Sequence, residues 1–155
     1  MIRVLCRGDL DWTLGMEYLL LAMRCLLDDE VAAELTIAGD GPERDRVLFT
    51  IEDLELRGAV RVLPAAFDRD RLFAEADVFL LAPLDDAPRS DVYSALRSGL
   101  PVVWGGRGDA PIEHDLSGLR VQPRDPRAIA DALSRLGSDA ALRERLIAGA
   151  CGALS

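Results

Sequence analysis

The sequence predicts a doubly wound α/β domain: one Rossmann-like unit with a parallel sheet of about six strands and helices on both faces. Three observations carry this. Short leucine-rich or β-branched runs alternate with helix-length stretches, the pattern of parallel strands joined by crossover helices. Glycine and proline punctuate the ends of those runs, at Gly39 to Pro42, Gly99 to Pro101 and Gly105 to Gly108. Asp77 to Leu81 is continuously apolar after its first residue, as a strand buried on both faces must be.

In chain order, Ile2 to Cys6 is the first strand. Thr13 to Asp28 reads as a helix, because Leu14, Leu19, Leu20, Met23, Leu26 and Leu27 recur at helical spacing; Thr13 and Glu17 make only a loose capping pair. Glu34 to Ala38 is the second strand, Gly39-Asp40-Gly41-Pro42 a tight loop, and Pro42 to Leu56 a helix with Gly58 as its cap. Ala59 to Leu63 is the third strand. Asp68 caps a short helix to Ala76, and Asp77 to Leu81 is the fourth strand. After the loop Ala82 to Arg89, a helix from Ser90 to Ser98 ends at Gly99, and Pro101 to Trp104 begins the fifth strand. Gly105, Gly106 and Gly108 predict a flexible turn and Leu119 to Val121 a sixth strand. Asp125-Pro126 caps a helix to about Leu136, and a last helix covers Asp139 to Ala148. No repeat or linker divides the chain, so residues 1–155 read as one domain.

Composition excludes several functions. The chain has 155 residues, half of them hydrophobic, and its longest apolar stretches, Tyr18 to Ala22 and Val78 to Pro83, are far too short to span a bilayer. A formal net charge of -9 argues against nucleic acid and anionic membrane as partners, leaving proteins or small molecules. Every basic residue except His114 is arginine, and the chain contains no lysine, which removes Schiff-base chemistry and a phosphate-gripping amine. Cys6, Cys25 and Cys151 lack the spacing of a metal knuckle or disulfide framework and read as buried apolar residues in a reducing, cytoplasmic setting. No metal or cofactor motif is present.

Five stretches recur in a known order: Gly8-Asp9-Leu10-Asp11-Trp12-Thr13-Leu14-Gly15, Ile37 to Glu43, Ala76 to Leu80, Gly99-Leu100-Pro101-Val102-Val103, and Val121 to Pro126. In them the chain resembles, almost end to end, the C-terminal nucleotide-sugar-binding domain of GT-B glycosyltransferases of the family 4 type. The resemblance implies half of a two-domain enzyme, with no acceptor domain in this chain. An active member would be a metal-independent transferase of sugar from a nucleotide donor, needing that separate half.

The resemblance also locates where this chain departs. The family's first-loop arginine and lysine, which neutralise the donor diphosphate, fall at Asp9 and Leu14. Its two glutamates, with seven residues between them, fall at Asp86 and Ser94; a further Glu falls near Ala110. Asp86 keeps a carboxylate able to meet a sugar hydroxyl, whereas Ser94 cannot take the paired ribose hydroxyls. The framework residues Gly15, Gly39, Gly41, Gly99 and Pro101 survive, and turn geometry alone accounts for them; Gly8 is a further donor-site position that the resemblance implies. The expected function is therefore a degenerate, non-catalytic domain acting as an interaction or scaffold module. It would meet a protein partner, or itself, through the face made by the loops after the strands. The alternative is the donor-binding half of a split or truncated hexosyltransferase.

Single residues leave further readings open. Gly39-Asp40-Gly41 is either a phosphate-binding loop at a helix start or only a tight turn, the reading preferred here. His114, between Glu113 and Asp115, is a general base only if a nucleophile accompanies it; a solvated loop position is the plainer reading. Arg7, Arg89 and Arg107 fall near strand ends, where ligands bind in open sheets, together with Asp9, Asp85, Asp86, Asp91 and Asp109, whose pairing with them would consume the charge. Those aspartates read as a solvated acidic rim in preference to a metal site. Trp12 is expected to pack, and Tyr93 is left without a role.

Overall fold

The computed structural model describes residues 1–85, 89–106 and 112–154. Six parallel strands, β1 (Ile2–Arg7), β2 (Ala33–Ala38), β3 (Val60–Leu63), β4 (Val78–Leu81), β5 (Val102–Trp104) and β6 (Leu119–Arg120), form one sheet in the order β3-β2-β1-β4-β5-β6. Six helices join them: α1 (Met16–Asp28), α2 (Arg44–Asp53), α3 (Arg69–Glu75), α4 (Ser90–Arg97), α5 (Pro126–Ser138) and α6 (Ala140–Leu154). The doubly wound α/β reading is correct. Val4 lies between Leu35 and Val78, and Leu5 between Thr36 and Phe79, so strand order reverses between β1 and β4. Loops leaving the carboxyl ends of those two strands diverge and open a crevice there.

All four residues of β4 are buried. Successive strand residues point to opposite faces, so both faces are covered at the centre. On one side α1 packs against α2 and α5; α4 packs against α6. The cover fails over the β2–β3 edge, where Glu34, Thr36 and Arg61 line a hollow of about 430 Å³ closed by the Arg3–Asp77 and Arg61–Glu75 ion pairs.

The boundaries that the sequence misplaces have local causes. The first long helix begins at Met16 and not at Thr13, because Gly15 takes a left-handed φ of 70° and separates it from a short 3₁₀ turn, Trp12–Leu14. Asp11, not Thr13, caps that turn by accepting from the Thr13 amide at 2.8 Å. α2 stops at Asp53, and its terminating residue is Glu55 at φ 54°, not Gly58. The amides of Glu55 and Leu56 return to the carbonyls of Glu52 and Ile51, the same paired closure that Glu30 and Val31 make after α1 and Gly99 and Leu100 make after α4. α6 outruns its expected end at Ala148, because Gly149 serves helix packing: a Cβ there would sit 1.8 Å from the Leu116 carbonyl oxygen. Of the expected flexible turn, Gly105 and Gly106 are buried against Val121, Ala82 and Pro83; Gly108 lies outside the described residues.

Asp68 and Asp125 cap α3 and α5 as expected. Only one cysteine meets its expectation. Cys6 is buried, and burial pushes its thiol up to about 12, which leaves it protonated and inert. Cys25 is half-buried against the edge of the core and Cys151 is exposed.

Glu30 and Glu55 hold the left-handed conformation that glycine adopts without a Cβ clash. Glu55→Gly is expected to raise stability by about 0.5 kcal/mol, relief of that clash outweighing the added freedom of the unfolded chain. Urea midpoints measure it, and a lower midpoint in the variant would show that Glu55 is not strained.

Candidate functional site

The crevice at the strand carboxyl ends holds a cavity of about 380 Å³. Five segments line it: the end of β1 with the loop after it (Arg7, Gly8, Asp9, Asp11, Thr13, Leu14), Ala38 at the end of β2, Ala65 after β3, Leu81 at the end of β4, and the start of α4 (Ser90, Asp91). Of the sequence-selected positions, Gly8, Asp9 and Leu14 line this cavity, whereas Gly15, Gly39 and Gly41 do not.

The loops interlock through glycines. Gly8 donates its amide to the Ala38 carbonyl at 3.1 Å, and Leu10 and Asp40 join by an amide-to-carbonyl bond of 2.9 Å. A Cβ on Gly39 would lie 1.9 Å from the Gly8 carbonyl oxygen, and one on Gly41 2.3 Å from that of Leu10. Those contacts explain why both positions are glycine. The amides of Gly39, Glu43 and Arg44 already donate to Leu63, Leu10 and Gly41, which favours the tight-turn reading over a phosphate loop. Gly15 is equally constrained, 2.5 Å from the Ala82 carbonyl oxygen in the same construction.

Asp9 is exposed, and Leu14 is buried with its side chain against Gly8. Where the resemblance places a cation pair, this wall carries an anion and an apolar side chain. Trp12 contradicts its expected packing: it is 64% exposed, since the Asp11 cap turns it away from the buried Leu10 and Leu14.

Arg7 is not available to a ligand. Its Nη1 donates to both carboxylate oxygens of Asp91, at 3.0 and 3.1 Å, and its Nη2 reaches the Ala65 carbonyl at 3.4 Å. Arg69, at the start of α3, also holds Asp91 Oδ1, at 2.8 Å, and donates to Ser94 Oγ at 2.5 Å. Ser94 in turn donates to the Ser90 carbonyl within α4. Sequence reasoning weighed Arg7 and Asp91 but missed Arg69, which no local signal links to them. Arg89 precedes α4 with its guanidinium 6.0 Å from the Trp104 ring centroid. Asp86, Arg107, Asp109 and Ala110 lie outside the described residues.

His114 is remote from this cavity. Its Nδ1 accepts the Arg120 amide at 3.0 Å and its side chain is half exposed, which matches the solvated-loop reading. Among the described residues no group of three His, Cys, Asp or Glu side chains converges as a metal site would require.

An open parallel sheet with a crevice at its strand-order switch is the α/β architecture in which ligands sit outside the carboxyl ends of the strands. The profile of the family described as Glycosyl transferases group 1 matches residues 2–139, and the chain belongs to that family. An uncharacterised glycosyltransferase of Methanocaldococcus jannaschii is 32% identical over 149 residues, 93% of this chain and 38% of its own length. The chain thus spans well under half of that curated relative. The C-terminal domain of a group 1 glycosyl transferase of Francisella tularensis superposes with a TM-score of 0.85 at 18% identity, over 99% of this chain and 84% of that one. Anabaena HepE in complex with UDP and glucose superposes with a TM-score of 0.87 at 21% identity, over 97% of this chain and 42% of that one. These two establish the GT-B half as the shared fold.

Proposed function

We propose that this chain is a degenerate C-terminal, donor-side domain of a group 1 glycosyltransferase that performs no transfer on its own and works as an interaction or scaffold module. One observation carries the reading. Among its described lining residues the cavity presents Asp9, Asp11 and Asp91 against a single arginine, Arg7, and that arginine is already bound to Asp91. A diphosphate entering there meets Asp9 and Asp11, which have no cation partner among the described residues, while Asp91 already holds Arg7 and Arg69. At about 4 Å and an effective dielectric near 20 each such contact opposes binding by about 4 kcal/mol before screening. Leu14 adds no donor, and Ser94 is engaged by Arg69 and Ser90. The loop face around the crevice is then the surface for a protein partner or a second copy. The three free cysteines and the lack, among the described residues, of any helix able to cross a membrane support a cytoplasmic location.

The second reading, a donor half that binds nucleotide sugar within a longer transferase, is favoured by the chain's spanning only 38% of its Methanocaldococcus relative. Calorimetric titration at low salt with UDP, GDP, ADP and their glucose conjugates separates the two. The degenerate reading expects no saturable heat up to about 1 mM ligand, weaker than about 4 kcal/mol of binding. Micromolar binding that is lost on Arg89→Ala would establish the donor half instead.

A further inference from the structure

The cluster at the cavity wall is built as anion sites are built, except that the anion belongs to the chain. Two arginines from separate elements, Arg7 at the end of β1 and Arg69 at the start of α3, converge on the Asp91 carboxylate and share its Oδ1, at 3.0 and 2.8 Å. Asp91 itself is only 9% exposed. The set is charge-rich, with two guanidinium groups to one carboxylate. It is also under-filled, since Arg7 Nε is buried without a hydrogen-bond partner among the described residues. A guanidinium presents five N–H donors, and a tetrahedral phosphate offers more acceptor positions than one carboxylate.

We propose that Asp91 is an internal anion occupying the place of a phosphate-class ligand between Arg7 and Arg69, and that this carboxylate, by engaging both arginines, keeps the crevice closed to phosphates. The inference rests on the degenerate-cleft reading and names its cause. Removing the Asp91 charge leaves the largely buried Arg7 and the half-buried Arg69 without their shared counter-charge, beside a cavity of about 380 Å³. An external anion then does for the fold what Asp91 did.

The test is titration of the folded chain with inorganic pyrophosphate, by calorimetry and by thermal melting, for wild type, Asp91→Asn, Asp91→Ala and Asp91→Asn with Arg7→Gln. Wild type is expected to show neither heat nor a melting shift. Both single variants are expected to melt lower than wild type in plain buffer, to bind pyrophosphate at least about tenfold tighter, and to regain melting temperature as it is added. The Arg7→Gln addition removes that gain. Should Asp91→Ala not fold, the isosteric Asp91→Asn carries the test. Should that also be unfolded in buffer, recovery of structure on adding pyrophosphate supports the proposal and no recovery overturns it. Variants that fold yet bind no better than wild type, or a gain that survives Arg7→Gln, overturn the role of Asp91 while leaving the degenerate reading intact. Micromolar pyrophosphate binding by the unmodified chain overturns both.

Discussion

Gly39→Ala is expected to abolish the native fold, or to lower its stability by more than about 3 kcal/mol, in urea denaturation of the purified chain. The added methyl has no place to go. It would lie 1.9 Å from the Gly8 carbonyl oxygen, a backbone atom held by a loop that is itself tied to Asp40 and Glu43. A flexible side chain would step aside; here the whole loop after β1 would have to leave the loop after β2, breaking the Leu10 bonds that join them. Gly152→Ala provides the contrast. Gly152 lies in α6 with nothing within 4 Å of a built Cβ, so alanine there is expected to add about 0.5 kcal/mol through helix propensity. A Gly39 variant that unfolds at the wild-type midpoint would mean that the two loops do not interlock as described.

Asp91→Ala is expected to cost more stability than Arg7→Ala, by about 3 kcal/mol against about 2 kcal/mol. The inequality comes from what each change leaves behind. Without Arg7, Asp91 keeps Arg69 at 2.8 Å and remains a paired carboxylate. Without Asp91, both guanidinium groups lose their counter-charge, and the side chain of Arg7 is only 21% exposed. Both costs should change little between low and high salt, because screening acts weakly on buried pairs. Equal costs, or costs that vanish in salt, would assign the cluster to the ordinary class of surface ion pairs.

The sequence discloses architecture through local chemistry. The succession of strands and helices along the chain follows from short apolar runs alternating with helix-length stretches, and the second loop from Gly39 and Gly41, whose neighbours forbid a Cβ. Gly99 announces the end of α4 because its left-handed φ of 76° suits glycine. What escapes reading is decided by tertiary contact. Glu30 and Glu55 end helices in the same conformation with no residue signal, since the buried Leu56 and the half-buried Val31 next to them fix the chain path. Gly149 resembles a helix breaker and instead admits the Leu116 carbonyl. In the crevice, Asp9 and Leu14 are legible as departures from a family pattern, but the pairing of Arg7 with Asp91 spans 84 positions of sequence. Arg69 joins them only because β1, α3 and α4 meet at one end of the sheet.

α6 is the last helix of the fold, yet it touches α4, α5 and the turn at Leu116, and it buries Leu142, Leu146 and Ala150. The parts it gathers come from both ends of the later half of the chain. On a ribosome, β1 to β4 and their helices can pair while synthesis continues; the β5–β6 side cannot close until α6 has emerged. During that interval the apolar surfaces of α4 and α5 that α6 covers are exposed, and they are the segments through which a nascent or truncated chain would meet a chaperone.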